Sequence, residues 1–180
     1  MSQTRLILVA VFLAASLGGC QFQKAGPTTP VGSQFRAGLG AVAPDFTLVD
    51  QTGVARSLSD YRGNVVLIDL STMWCSFCQK EAEQGDAMYR QYHERGFVIL
   101  TVLWADYNGA PMTLQTTKSW ADFYGLSFPV LADVNEAVWR AYSEAPDMPL
   151  NLIIDRNRII RYRVAGYNET ELRQTIESLL

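Results

Sequence analysis

The chain has 180 residues, with 18 acidic and 15 basic side chains, one histidine and three cysteines. That length suits one ordinary domain with appendages and excludes a miniprotein held together by disulfides. A net charge of −3 leaves no global electrostatic basis for binding nucleic acid, and one histidine with three cysteines argues against a closed four-ligand zinc site.

At the N-terminus, residues 6–17 are apolar except for Ser16, follow Arg5 and lead into Gly18 and Gly19. This is the three-part layout of a secretory signal, expected to occupy residues 1–19. Twelve helical residues reach about 18 Å, short of the roughly 30 Å hydrocarbon core, so a permanent membrane span is the weaker reading. Leu17-Gly18-Gly19-Cys20 resembles the lipobox of bacterial lipoproteins. The resemblance implies cleavage before Cys20 and a diacylated Cys20 whose thiol is consumed as a thioether. The alternative is a plain secreted protein with an incidental cysteine. The expected location is the bacterial cell envelope, lipid-anchored and facing the periplasm. In the Gram-negative sorting scheme Gln21 favours the outer membrane; a Gram-positive host would use the outer face of its plasma membrane. Residues 20–43 are rich in Gly, Pro, Thr, Ser and Ala without apolar periodicity, and read as a lipidated N-terminus and flexible tether reaching about 25 Å.

From residue 44 the pattern is that of one α/β domain. Residues 46–49 and 54–58 flank the turn signal Asp50-Gln51-Thr52-Gly53 and predict a hairpin. Residues 65–70 and 97–103 are continuous apolar runs, as expected of strands covered on both faces. Between them, residues 76–95 predict a helix ended by Gly96, and the right-handed crossover rule makes the two strands parallel. Further helices are expected at 113–124 and 135–142, with a short strand at 128–131. Residues 150–154 and 159–164 predict a second hairpin, with Ile160, Tyr162 and Val164 inward and Arg156, Arg158, Arg161 and Arg163 on a solvated edge. Residues 169–180 close the chain as a helix with Leu172, Ile176 and Leu179 on one side.

Cys75 and Cys78 form Trp74-Cys75-Ser76-Phe77-Cys78, directly after a buried strand and at a helix start. Free N–H groups and the positive end of the helix dipole favour a thiolate at the first cysteine. The second, one turn on, is placed to attack a mixed disulfide, which makes Cys75 the expected nucleophile and Cys78 the resolving thiol. Such exchange needs no cofactor. A structural staple is the poorer reading, because closing so short a loop removes little unfolded-state entropy. A metal site lacks ligands, since His93, the only imidazole, falls near the far end of the helix and reads as a surface residue. Trp74 and Phe77 supply an apolar rim suited to a docking protein thiol, or else local packing.

Asp45-Phe46-Thr47-Leu48, the approach Gly63-Asn64-Val65-Val66-Leu67, the Trp-Cys-x-x-Cys centre, and Met148-Pro149 through Ile153-Ile154-Asp155 resemble the thioredoxin-like proteins of the TlpA and ResA type. The resemblance covers essentially all of residues 44–180. It implies a thioredoxin-like fold: a central mixed sheet flanked by helices, with an N-terminal β-hairpin extension and an inserted strand/helix segment. It also implies that Pro149 is a cis-proline beside the disulfide and that Met148 offers backbone to an extended substrate. Asp69 takes the position of the buried aspartate of thioredoxins, where TlpA relatives more often carry asparagine. Its implied role is proton acceptor for Cys78, with a value raised by desolvation. Glu81 matches the glutamate of the ResA-type Cys-x-x-Cys-x-x-Glu pattern; the alternative is a solvated first-turn acid. The Ser-Phe dipeptide between the cysteines departs from the family's usual proline-ended pair, so the direction of electron flow is not readable.

The resulting expectation is an envelope thiol:disulfide oxidoreductase acting on protein thiols or disulfides, such as an apocytochrome, and reset by an upstream redox partner. One alternative is a peroxiredoxin-like peroxidase: Thr72-Met73-Trp74-Cys75 fits the Thr-x-x-Cys part of that signature, but Ile68 stands where its proline belongs. The other is a non-catalytic metal or haem chaperone using the dithiol as ligands.

Overall fold

The computed structural model describes residues 37–143, 145 and 147–180. The expected signal segment, Cys20 and the tether up to residue 36 lie outside the described residues. Residues 37–43, assigned by composition to the tether, instead pack on the domain. Ala37 and Ala43 are buried. The Gly40 and Ala43 N–H groups donate to the carbonyls of Ile160 and Arg158, and the Ile160 N–H donates to Ala41. Backbone pairing of this kind requires no apolar pattern, so composition does not reveal it.

The chain runs β1 (Thr47–Asp50), β2 (Ala55–Ser57), β3 (Val65–Thr72), α1 (Ser76–Tyr92), β4 (Phe97–Ala105), α2 (Leu114–Tyr124), β5 (Val130–Ala132), α3 (Ala137–Tyr142), β6 (Leu150–Ile154), β7 (Ile160–Ala165) and α4 (Glu169–Leu179). The strands form one mixed sheet in the order β2-β1-β5-β4-β3-β6-β7. β3, β4 and β5 run parallel. The pairs β1–β2, β1–β5, β3–β6 and β6–β7 are antiparallel. The hairpin β1–β2 is the expected N-terminal extension, and α2 with β5 forms the inserted segment.

Most boundaries shift by one or two residues, and three of the shifts have a local cause. β5 begins at Val130 rather than 128, because Pro129 has no N–H to give the ladder, although its carbonyl accepts from Thr101. α3 begins at Ala137 rather than 135: Glu136 adopts a left-handed conformation, and Asp133 Oδ2 accepts the Trp139 N–H at 2.8 Å. α1 passes into a 3-10 turn, His93–Arg95, before Gly96 at φ 87° ends it.

Alternation along β3 sorts its side chains between two cores. Val66, Ile68 and Leu70 join Leu100, Val102, Leu152 and Ile154, together with Val138 and Tyr142 of α3. Val65 and Leu67 join Met88 and Tyr92 of α1, Trp120 of α2, and Leu172 and Ile176 of α4. Both sheet faces are thus covered, which is why these strands read as unbroken apolar runs. Asp69 and Ser71 follow Leu67 by steps of two and therefore face α1.

The C-terminal arginines serve the fold rather than a free patch. Arg156 donates to the carbonyls of Gly63, Arg95 and Leu180, Arg158 to that of Ala43, and Arg163 to that of Tyr142. Arg161 pairs with Asp155 at 2.8 Å. Val164 departs from the expected inward alternation: it is exposed on β7, the last strand of the sheet, where it lines an open groove with Phe77 and Tyr167.

α1 comes close to the segment before β5 at Gly85, where a Cβ would lie 3.1 Å from the buried Phe128 ring. Gly85→Val is therefore expected to lower stability by about 1–3 kcal/mol through overpacking. Urea unfolding measures this directly, and a wild-type midpoint would contradict it.

Candidate active site

Cys75 is the N-cap of α1, with extended backbone, and its Sγ accepts the Cys78 N–H at 3.3 Å. The preceding turn is held from several sides. Met73 N–H donates to Ala105, Gln79 Nε2 donates to the Met73 carbonyl at 2.8 Å, and Gln79 N–H donates to the Cys75 carbonyl. Both cysteines are free thiols, but their access differs: Cys75 retains 8% of its surface and Cys78 only 1%. An incoming disulfide can therefore meet Cys75 and not Cys78. Trp74 and Phe77 flank the pair at 47% and 59% exposure, an apolar rim rather than core packing.

The Met148–Pro149 peptide is cis, as the resemblance implied. Met148 is half-buried and Pro149 buried. They directly precede the Leu70–Leu150 pair in register, at the end of β3 that leads into Cys75. The Pro149 carbonyl accepts the Gly166 N–H at 2.7 Å. Gly166 also lines a groove of about 320 Å³ with Phe77, Val164, Tyr167 and Glu171. The rim and the cis-proline strand are thus linked by one surface.

Behind the cysteines lies a polar row inside an otherwise apolar layer. Asp69 of β3 is paired in register with Thr101 of β4 on one side and Asn151 of β6 on the other. The Thr101 hydroxyl donates to Asp69 Oδ2 at 2.9 Å, and the Ser71 hydroxyl donates to Asp69 Oδ1. From α1, Glu81 reaches down to this row: Asn151 Nδ2 donates to its Oε2 at 2.9 Å, and its Oε1 is buried without a hydrogen-bond partner. Asp69, Glu81 and Thr101 line one cavity of about 10 Å³, at the lower limit for a single water molecule.

Burial governs the protonation of these groups. It pushes Asp69 up to about 6, against the Ser71 and Thr101 donors that favour its anion. It pushes Glu81 well above the carboxylate range, helped by the charges of Asp69 and Cys75 and opposed by Asn151. Glu81 is thus not the solvated first-turn acid of the alternative reading; it is 5% exposed. The Cys78 thiol is raised far above an ordinary cysteine by burial first, then by Asp69 and Cys75. A thiol so placed ionises only when a neighbour takes its proton, and Asp69 titrates in the range where it can do so.

Ser71, Thr101 and Asn151 belong to this cluster and escape the sequence reading. Ser71 could have been found from its two-residue offset to Asp69; the other two depend on strand register. His93 stands apart, exposed beyond the end of α1 and stacked on Tyr89 at 5.0 Å between ring centres.

Residues 39–163 match the AhpC/TSA family. The chain is 32% identical over 142 residues to the thiol-disulfide oxidoreductase ResA of Geobacillus thermodenitrificans, covering 78% of each. It is 28% identical over 133 residues to ResA of Bacillus anthracis, covering 74% of this chain and 73% of the other. Among solved structures, a Chlorobium tepidum chain described as a thiol:disulfide interchange protein DsbE superposes with a TM-score of 0.69 and 26% identity, over 79% of this chain and 98% of its own. With a family match over residues 39–163, a likeness to ResA over 78% of the chain and a thiol-disulfide interchange protein among its structural neighbours, the chain belongs to the AhpC/TSA family as a thioredoxin-like thiol-disulfide oxidoreductase of the ResA/TlpA type.

Proposed function

We propose that the protein is a lipid-anchored envelope oxidoreductase in which Cys75 attacks the disulfide of an exported protein and Cys78 resolves the resulting adduct. The observation that carries this reading is the difference in access between the two thiols, with Cys75 at the helix cap and Cys78 beneath it. In the reducing direction, Cys75 thiolate attacks one substrate sulfur, the substrate S–S bond breaks, and a mixed disulfide forms. Cys78 yields its proton to Asp69 and attacks Cys75 Sγ, which releases the substrate dithiol and leaves the Cys75–Cys78 disulfide. An upstream dithiol partner resets it. Glu81 is a second proton partner of the pair. Trp74 and Phe77 dock the apolar surroundings of the substrate cysteine, and the Met148 backbone beside Pro149 pairs with its extended chain. An apocytochrome is one such substrate.

Attachment through Cys20 keeps the domain at the membrane, where among the described residues no helix is long and apolar enough to cross. Trapping tests both halves of the proposal. In cells, Cys78→Ser is expected to accumulate protein adducts that disappear on reduction and are absent from Cys75→Ser. Failure to find such adducts under any redox condition overturns the exchange with exported proteins. Cys20→Ser is expected to move the protein from the membrane to the soluble fraction, and unchanged partitioning overturns the anchor.

A further inference from the structure

Strand β6 carries one polar side chain, Asn151, and it is fully buried. Its amide nitrogen makes two hydrogen bonds, donating to Glu81 Oε2 at 2.9 Å and to the Gly166 carbonyl at 3.2 Å. Gly166 is itself held, because its N–H donates to the Pro149 carbonyl at 2.7 Å. A side-chain amide can be turned end for end, but the Gly166 carbonyl only accepts, so it must face the NH2 group. Both hydrogens of that group are then used, and the one that meets Glu81 reaches Oε2 as a donor. In a neutral carboxyl the carbonyl oxygen is the better acceptor, so this bond holds Oε2 as the carbonyl and leaves the proton on Oε1. Glu81 Oε1 is buried and has no hydrogen-bond partner.

We propose that Asn151 is a positioning residue for the exchange reaction: it anchors Glu81 to the cis-proline strand and confines the mobile proton of that acid to Oε1. The inference deepens the reading of Glu81 as a proton partner of the cysteine pair and rests on it. Three consecutive hydrogen bonds, from Pro149 through Gly166 and Asn151, reach the carboxyl. One oxygen is thus held while the other gains or loses the proton, and the acid keeps its place in both states. The Asn151 donor favours the Glu81 anion, against the burial that favours the neutral acid. Without Asn151 the carboxyl would keep its burial and lose both its orientation and this donor. The titratable groups around Glu81 are Asp69 from β3, Cys75 at the start of α1, Cys78 one turn before it on the same helix, and Tyr162 and Tyr167 from β7 and the turn after it. Thr101 of β4 lines the same small cavity without titrating.

Infrared spectra of the reduced protein test this through the C=O stretch of the protonated Glu81 carboxyl, assigned by its loss in Glu81→Gln. In Asn151→Leu, which keeps the branched shape without the donor, the band is expected to move to higher frequency, as for a carbonyl freed of a hydrogen bond. Its titration midpoint is expected to rise by about one to two pH units, the effect of losing a hydrogen bond to a charged group. The pH profile of exchange with an aryl disulfide is expected to shift with it, and in a Glu81→Gln background Asn151→Leu is expected to add no shift. Urea unfolding identifies a variant that has not folded, in which case Asn151→Ala takes its place. In the unmutated protein, the Asn151 side-chain amide resonances are expected to titrate with Glu81 in nuclear magnetic resonance spectra. A folded Asn151 variant with the wild-type band and midpoint, or amide resonances that do not follow Glu81, overturns the positioning role and leaves Asn151 a structural residue. If Glu81→Gln exchanges disulfides at the wild-type rate and with the wild-type pH profile, the proton role of Glu81 falls instead, while the infrared result still decides the anchoring.

Discussion

Replacing Cys75 by serine is expected to remove dithiol–disulfide exchange, a loss on the order of 10⁴–10⁶ in turnover of the kind seen when a covalent nucleophile is deleted. The serine hydroxyl can still cap α1, so the helix and its packing are expected to persist, and the loss is chemical rather than structural. Cys78→Ser differs in kind. Cys75 remains at the surface end of the pair, the first half-reaction proceeds, and the enzyme stalls as a mixed disulfide in which the substrate's other sulfur is left as a thiol. Turnover with a disulfide peptide, together with mass measurement of the stalled adduct, distinguishes the two. If Cys75→Ser formed the stable adduct and Cys78→Ser did not, the roles would be reversed, and the difference in access between the thiols would have no bearing on the chemistry.

The second large effect concerns Asp69 and has opposite signs for activity and stability. Its folded-state value of about 6, against an ordinary 3.8, means that the native protein binds this proton more tightly than the unfolded chain does. The stabilising contribution is therefore fully present below about pH 4 and is lost as pH rises through 6, a difference of up to about 3 kcal/mol. Asp69→Asn keeps the shape and does not ionise, and the Ser71 and Thr101 hydroxyls can turn to serve it. Relative to wild type, it is expected to gain about 2–3 kcal/mol between pH 4 and pH 8, measured by urea unfolding of the reduced protein. Parallel pH profiles for the two proteins would contradict this. Glu81, raised in the same direction, adds to the decline of wild-type stability over that range. Asp50 acts elsewhere: although buried, it is held near 2 by Thr52, Arg56 and Val54, so its stabilisation is lost only at much lower pH. Resolution by Cys78 is expected to slow about 10²-fold in Asp69→Asn, since the proton then loses its principal internal acceptor and only Glu81 remains. A protein that becomes more stable and less active on losing one carboxylate carries that carboxylate for chemistry.

The relation between Asp69 and Glu81 shows how far a linear pattern reaches. An acid within an unbroken apolar run must be buried or partnered, and that inference holds for Asp69 because strand alternation is a local rule. Glu81 lies in the first turns of a helix, where acids ordinarily face solvent, and nothing local distinguishes it from a surface residue. It is buried because α1 lies against the face of β3 that carries Asp69, and it is held by Asn151, seventy residues away in sequence. The edge position of Val164 is of the same kind: alternation predicts which way a side chain points, but not whether another layer is present to cover it.

For this protein the sequence by itself determined the strand-turn-helix that presents Cys75 and Cys78, the family resemblance, the order of the elements and the likeness of β3 and β4 to strands covered on both faces. Each follows from interactions within a few residues: the helix cap, two- and 3.6-residue periodicity, and turn chemistry. Only the tertiary structure decided that residues 37–43 belong to the domain, that Thr101 and Asn151 flank Asp69, and that Glu81 is buried with it. Those placements depend on which strands pair and in what register, and register is a property of long-range packing in which a single step would turn each of these side chains to the other face of the sheet.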